Sequence, residues 1–396
     1  MRKIAIVSCY FQHNYGSMLQ AYATQMALDK LGYENETINI SGFNGEIRKA
    51  KLLYFAKASL TSDILLSKLG MAKNVLIKKF SKNRYASLCK IRSEKFDTFS
   101  RKQFKLSTKY NSKAELGNKC KDNYSSVLVG SDQLWLPGNI AADYYTLNFV
   151  PETVNSIAYA TSFGQSRLPK DSTKKAEIFL KRIKHIGVRE ESGQKLVREI
   201  INRDVPVVCD PTLLFTGDEW MKIQEKEPLV KGKYILCYFL GNNPPHREFS
   251  KRLKAETECK IVALTHLDEF VKSDEGYADE TPYDIDPADF LNLVRNAEYV
   301  CTDSFHCTVF SILYKKKFFA FRRYSRNTIH STNSRLDTLF SMSGISGRML
   351  SGNENISDCL NIEVDFDVVH ENLEKIRQKS YDYLINALKD EGSTDL

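Results

Sequence analysis

The chain has 396 residues, 42% hydrophobic and 27% charged, with a formal net charge of +8. That balance suits two globular domains and excludes a fibrous or disordered protein. No stretch approaches the roughly 18 apolar residues needed to span a bilayer, and the apolar run after Met1-Arg2-Lys3 is too short for a signal peptide, so a cytoplasmic location is expected.

Lys3 to Cys9 is short, β-branched and bounded by polar residues, which predicts a buried parallel strand. From Met18 to Leu31 the apolar spacing is helical, and Gly32 closes the helix. With a strand at Thr37 to Ile40, this makes a βαβ opening. Residues 48–109 interrupt the rhythm with 17 Lys/Arg against three acidic residues, read as inserted basic amphipathic helices. Strands are expected again at Ser126 to Val129, Ser156 to Ala160, Ile186 to Val188 and Val205 to Val208, with helices at 171–184 and 191–201.

Residues 210–232 read as a crossing between lobes, which sets the first lobe at 1–209. The second lobe, 233–368, carries predicted strands at Tyr234 to Leu240, Ile261 to Leu264, Tyr299 to Cys301 and Phe318 to Phe321. Helices are expected near 287–296 and from His306 to Tyr314. The final segment, 369–396, holds an amphipathic helix at about 371–388 that packs back on the first lobe, followed by a polar tail. Polar and glycine-bearing residues follow strand after strand, and ligands in such sheets bind outside the strands' carboxyl ends.

The strongest of these strand ends is Cys301-Thr302-Asp303-Ser304-Phe305-His306-Cys307-Thr308. Ser304 is placed to cap the following helix and His306 falls in its first turn, where free N–H groups attract an anion. His306 can donate to that anion or transfer a proton; a capped helix with a backbone-bonded histidine is the plain alternative. Asn14-Tyr15-Gly16-Ser17 forms another strand-to-helix turn, without the GxGxxG or P-loop pattern of nucleotide sites. Gly130-Ser131-Asp132-Gln133-Leu134-Trp135 offers a carboxylate and an amide for sugar hydroxyls and an indole for stacking, or simply a cap. Arg189 can clamp an acid or pair with Glu190 or Glu191. Arg335, after Ser334, stands in a similar polar loop. The nine cysteines form no CxxC, and the histidines show no HExxH, so no metal site is expected. The charge is local rather than general, which argues against a nucleic-acid partner. The basic segment is either a solvated helical face or a contact with anionic lipid or glycan.

Taken in order, Asn14-Tyr15-Gly16 with Leu19-Gln20-Ala21, Gly130 to Trp135, Tyr159 to Gly164, Val188-Arg189-Glu190, Asp210-Pro211-Thr212, Thr302 to His306 and Ser334-Arg335 resemble the polysaccharide pyruvyl transferase family. The resemblance covers about Ile4 to Arg348, apart from the 48–109 insert. One position departs: the family usually has glycine after the histidine, where this chain has Cys307, against the expected phosphate site.

The resemblance implies an α/β fold of two Rossmann-like lobes in a GT-B-like arrangement, with the donor between them. It implies phosphoenolpyruvate as co-substrate, no cofactor, and a sugar diol of an exopolysaccharide, capsule or cell-wall glycan as acceptor, free or lipid-linked. Catalysis would fall to His306, Asp132 and Arg189, with Asp132 as base. Ser304, His306, Arg189, Ser334 and Arg335 would hold the donor. Asn14, Tyr15, Gly16, Ser131, Gln133, Trp135 and Ser162 would hold the acceptor. A GT-B glycosyltransferase using a nucleotide sugar, and a non-catalytic glycan-binding protein, are the competing readings. Peripheral contact with the inner face of the plasma membrane through residues 48–109 is a further expectation.

Overall fold

The computed structural model describes residues 2–58, 84–266, 271–323 and 334–389. The first lobe opens with β1 (Lys3–Val7), α1 (Tyr15–Lys30) and β2 (Asn35–Thr37). Helices α2 (Asn44–Ala58) and α3 (Arg84–Gln103) occupy the basic segment, as its composition predicts; residues 59–83 of that segment lie outside the described ones. The lobe continues through α4 (Lys113–Asn123), β3 (Tyr124–Val129), α5 (Pro137–Ala142), β4 (Asn155–Thr161), α6 (Lys170–Arg182), β5 (His185–Val188) and α7 (Glu191–Ile201). A short helix α8 (Gly217–Met221) lies in the crossing.

The second lobe contains β6 (Tyr234–Tyr238), α9 (Pro244–Thr257), β7 (Lys260–Ala263), α10 (Pro287–Asn296), β8 (Tyr299–Thr302), α11 (Phe305–Leu313), β9 (Lys317–Phe321), α12 (Ser334–Ser343), β10 (Met349–Leu350) and α13 (Ile356–Asn361). Helix α14 (Phe366–Leu388) ends the described chain.

The strand orders are β2-β1-β3-β4-β5 and β10-β9-β8-β6-β7, and the pairings are parallel throughout. Counted from its own first strand, each sheet has the order 2-1-3-4-5, although the sequence shows no repeat. Apolar strands such as Tyr234–Tyr238 are buried along their whole length, as a sheet covered by helices on both faces requires. This order reverses direction between strands one and three, and ligands settle in the crevice at that reversal. Here the reversals lie at β1/β3 and β6/β8.

One apolar cluster runs through both lobes and includes Tyr15, Phe290 and Leu384. Tyr15 stacks on Phe290 with centroids 4.7 Å apart, and its hydroxyl donates to the Ile285 carbonyl. Helix α3 adds a second tie. Its buried Arg92 donates to the carbonyls of Thr265 and Pro282 at 2.6 and 2.8 Å and lies over the Tyr283 ring. Part of the basic segment is therefore an interlobe strap.

Helix α14 packs back on the first lobe, as the sequence led us to expect, and reaches the second lobe as well. Its early turns reach the second lobe through His370, bonded to the Ile312 carbonyl at 2.9 Å, and Asp367, paired with Lys315. Its last turns reach β4, with the Asn155 amide donating to the Ala387 carbonyl and the Tyr383 hydroxyl to the Ala158 carbonyl. Asp365 caps it five residues or more before the predicted start, which supplies the extra length. The strand expected at Val205 to Val208 is only a bridge between Val207 and Val188; Pro206 lacks the N–H that a longer ladder needs. Among the described residues no helix is long and apolar enough to cross a membrane.

Candidate active site

The two strand reversals face one another across a cavity of about 390 Å³. Asn14 and Ser17, following β1, and Asp132 and Gln133, following β3, line it from the first lobe. Ser304, Phe305 and His306, following β8, line it from the second, with Arg323 after β9 and Arg335 on α12.

On the first-lobe side, Asn14 caps α1, its side chain accepting from the Ser17 N–H at 3.1 Å. The Ser17 hydroxyl then donates to the Asp132 carboxylate at 2.6 Å. Asp132 itself has φ +84°, an unusual backbone state for a residue with a side chain. Its surroundings hold it there: its carbonyl accepts from Leu134 and Ser162 N–H groups, and its carboxylate accepts from the Gln133 N–H. Burial alone would raise the Asp132 carboxyl, but Arg189, His306, the Ser17 hydroxyl and Arg335 outweigh it and hold it below the ordinary carboxylate range.

Arg189 is buried behind this wall rather than lining the cavity. Its Nη1 donates to Asp210 at 2.7 Å and to Ser131 at 3.3 Å, while Nη2 stands 4.0 Å from Asp132. Its guanidinium lies over the Phe305 ring at 4.8 Å. In this conformation Arg189 is the counter-ion of buried carboxylates, not the donor clamp expected of it. Asp210 also faces His306, 3.4 Å from Nε2. Burial opposes ionisation of Asp210, yet His306 and Arg189 hold its carboxyl far below the usual range.

On the second-lobe side, Ser304 caps α11, as expected, accepting from the Cys307 N–H at 3.5 Å. His306 follows in the first turn and is almost wholly buried. It rests on Gly16, where a Cβ would come within 2.1 Å of His306 Nδ1. Gly16 thus makes room for the histidine of the opposite lobe rather than for an acceptor. Arg335 is the buried cation of the cavity wall. Burial, with Arg189 nearby, pushes its pKa down to about 10, so an incoming anion would relieve it. Arg323 donates to the Asp303 carbonyl at 2.8 Å and keeps a buried Nε without a hydrogen bond. Cys307 turns into the apolar core away from the cavity, and burial pushes its thiol up to about 12. Its side chain therefore does not crowd the cavity.

Several nominated acceptor residues have other work. Trp135 is fully buried between Phe163 and Phe179, with its indole N–H donating to the Tyr145 carbonyl at 3.0 Å. It offers no stacking face, because the turn after Asp132 directs it into the first lobe's core. Tyr15 is the interlobe anchor described above. Ser162 is buried and donates to Glu190 at 2.6 Å; Ser131 is buried and donates to Asp210 at 2.9 Å. Ser334, nominated for the donor, lines a separate surface depression beside α7. Of the nominated residues, the cavity therefore collects Asn14, Asp132, Gln133, Ser304, His306 and Arg335. It also collects Arg323, Lys51 and Phe55, which sequence reasoning missed. Arg323 follows a strand, as the nominated residues do, and was findable on that ground. Lys51 and Phe55 had no such signal inside a long basic segment. Among the described residues, no group of three or more His, Cys, Asp or Glu side chains could hold a metal ion.

The same two-lobed arrangement occurs in solved structures. A chain assigned as a UDP-N-acetylglucosamine 2-epimerase from Listeria monocytogenes matches with TM-score 0.51 at 12% identity, over 98% of this chain and 95% of that one. The UDP-GlcNAc 2-epimerase from Neisseria meningitidis, bound to UDP-GlcNAc, matches with TM-score 0.49 at 10% identity, over 98% and 99%. MurG from Acinetobacter baumannii matches with TM-score 0.38 at 10% identity, over 98% of both chains. At 12% identity the first of these speaks for the fold alone. No curated protein matches the chain in sequence. The family model described as polysaccharide pyruvyl transferase, however, matches residues 14–325, a span that holds every cavity residue named above except Arg335, and the chain belongs to that family.

Proposed function

We propose that the protein transfers a pyruvyl group from phosphoenolpyruvate to two hydroxyls of one sugar, in a cell-surface polysaccharide or its lipid-linked precursor, closing a ketal. The observation that carries this reading is one cavity with the ionised Asp132 on one wall and His306, Arg323 and Arg335 on the other. The two guanidiniums and the start of α11 are suited to the donor's phosphate and carboxylate.

His306 then delivers a proton to the enol methylene carbon. The π electrons form the new C–H bond and leave an oxocarbenium-like centre at the neighbouring carbon. The first sugar hydroxyl adds its oxygen there as its proton passes to Asp132. Phosphate next departs with the electrons of its C–O bond, regenerating an electrophilic centre, and the second hydroxyl closes the ketal. Of the two hydroxyl protons, one is balanced by the proton on the new methyl group and the other leaves on phosphate. A carboxylate held below its ordinary range is a weak base. That is adequate here, because an oxocarbenium centre demands little activation of its nucleophile, and ionised Asp132 also stabilises the positive charge.

A membrane-facing acceptor has support in α2. Leu52 and Leu53 are 70% and 55% exposed on its outer side, beside exposed Arg48 and Lys49, a pattern suited to an anionic lipid surface. Phosphate release from phosphoenolpyruvate, assayed with free, nucleotide-linked and lipid-linked glycans, tests the reading. Acceptor-dependent release is expected. Consumption of a nucleotide sugar with phosphoenolpyruvate untouched would replace it with glycosyl transfer.

A further inference from the structure

His306 belongs to the second lobe, yet its ring is seated in the first. Its two nitrogens meet different surroundings there. Nδ1 lies over Gly16, which is flanked by Asn14 and Ser17 of the cavity wall. Nε2 turns inward. It is buried, makes no full hydrogen bond among the described residues, and stands 3.4 Å from Asp210 Oδ2.

Asp210 does not line the cavity, and the chemistry above gives it no part. It is nonetheless pinned at both oxygens. Oδ1 accepts from the Thr212 N–H at 3.1 Å and the Thr212 hydroxyl at 2.7 Å. Oδ2 accepts from the Ser131 hydroxyl at 2.9 Å and from Arg189 Nη1 at 2.7 Å. A carboxylate with four donors is a fixed negative charge and a poor proton acceptor. Beside it, a hydrogen on Nε2 meets an acceptor, whereas a bare Nε2 lone pair would face an anion. The other charges at the ring are Asp132 on the cavity wall and Arg189 behind both carboxylates.

We propose that Asp210 is the positioning residue of His306: it fixes a hydrogen on Nε2, so that Nδ1 is the nitrogen that delivers the proton to the donor. In that step the Nδ1–H bond breaks and leaves its electron pair on Nδ1. The donor's π electrons form the new C–H bond. The imidazole left behind is neutral, with Nε2–H still aimed at Asp210, and Asp210 itself takes no proton. The 3.4 Å separation is long for a hydrogen bond and shortens when the ring carries charge. The proton's destination rests on the transferase reading; the hydrogen on Nε2 does not.

The first test is nitrogen-15 NMR of the full chain, labelled at histidine and free of ligand, with His306 assigned by its loss in His306→Gln. At a pH where the ring is neutral, its hydrogen should sit on Nε2 and resonate downfield, as an N–H bonded to a carboxylate does. That signal should move upfield in Asp210→Asn. A hydrogen on Nδ1 in wild type, or no change in Asp210→Asn, overturns the proposal. The second test is a double-variant cycle on phosphate release. Asp210→Asn should lower kcat about a hundred-fold with donor KM nearly unchanged. Added to His306→Gln, it should lower kcat no further, because the two residues act as one unit. A full additional loss in the double variant would make Asp210 a structural residue only. Should Asp210→Asn fail to fold, Ser131→Ala removes one donor from Oδ2 instead; its smaller loss of kcat should likewise vanish without His306. Absence of phosphate release in wild type, with the downfield hydrogen on Nε2, would sink the transferase reading and leave the hold of Asp210 on His306 standing.

Discussion

The two lobes share one strand order but bring opposite resources to the cavity. In the first, the floor is strained and sealed. Asp132 at φ +84° and Ala160 at φ +53° lie on neighbouring strand ends, above a buried network of Arg189, Asp210, Ser131 and Glu190. In the second, the helix start is regular and capped, and the cations reach the cavity itself. The difference teaches that a shared topology fixes where a site lies, while the turns and helices around the strand ends decide its charge. The carboxylate on one wall is kept ionised by a buried arginine behind it together with His306, Arg335 and the Ser17 hydroxyl around it.

The sharpest way to break the comparison is to remove one arginine from each side. Arg189→Ala strands the buried carboxylates of Asp210 and Glu190 and should cost about 3–5 kcal/mol in urea unfolding. Arg335→Ala relieves a buried cation, so its stability should change little while the donor KM rises. Equal destabilisation by the two variants would dissolve the distinction. The same network sets an acid limit. Asp132 and Asp210 are depressed when folded. Their stabilisation is therefore present above the unfolded carboxylate value near 3.8 and is lost as pH falls through the lower folded values. Urea midpoints measured downward from pH 5 should show this loss, and Asp210→Asn should flatten it.

A smaller effect should follow from silencing each wall's chemistry. Asp132→Asn and His306→Gln should each lower turnover by about 2.7–4 kcal/mol of transition-state stabilisation. Asp132→Asn should leave donor affinity nearly unchanged, and loss of donor binding in that variant would move Asp132 to the donor side. Smaller again is Gly16→Ala, which pushes a methyl group into His306. About 1–3 kcal/mol of stability should be lost, with kcat falling more than donor affinity; unchanged kcat would show that the histidine's seat is unimportant. The smallest effect belongs to Cys307→Gly. It should cost about 1 kcal/mol through helix propensity and leave KM for phosphoenolpyruvate alone, since the thiol points away from the cavity. A changed KM would show that the Cys307 side chain reaches the donor site after all.

Much of this was legible in the sequence, for reasons that differ by residue. Ser304 and His306 were readable because a strand, a cap and a helix follow one another locally, and local rules place them. Asp132 was readable as a strand-end carboxylate, though nothing local announced its left-handed backbone. Trp135 was misplaced because its direction depends on that backbone turn. Gly16 was readable as part of a strand-to-helix turn, but not what rests on it, since His306 is nearly three hundred residues away and meets it only when the lobes pack. Lys51 and Phe55 were hidden for the same reason: their inward face exists only against α5.

The apolar cluster joining Tyr15, Phe290 and Leu384, reinforced by the Arg92 strap and α14, bears on how the molecule melts and exchanges ligands. Two sheets usually suggest two independently melting bodies. Here the seam between them is itself core, so parting the lobes exposes apolar surface on both sides at once. Heat should meet one cooperative unit, and a ligand held at the seam would steady both halves together. Wide hinge opening would forfeit the same buried surface. Turnover is accordingly better served by side-chain movement at the rim formed by α2 than by separation of the lobes.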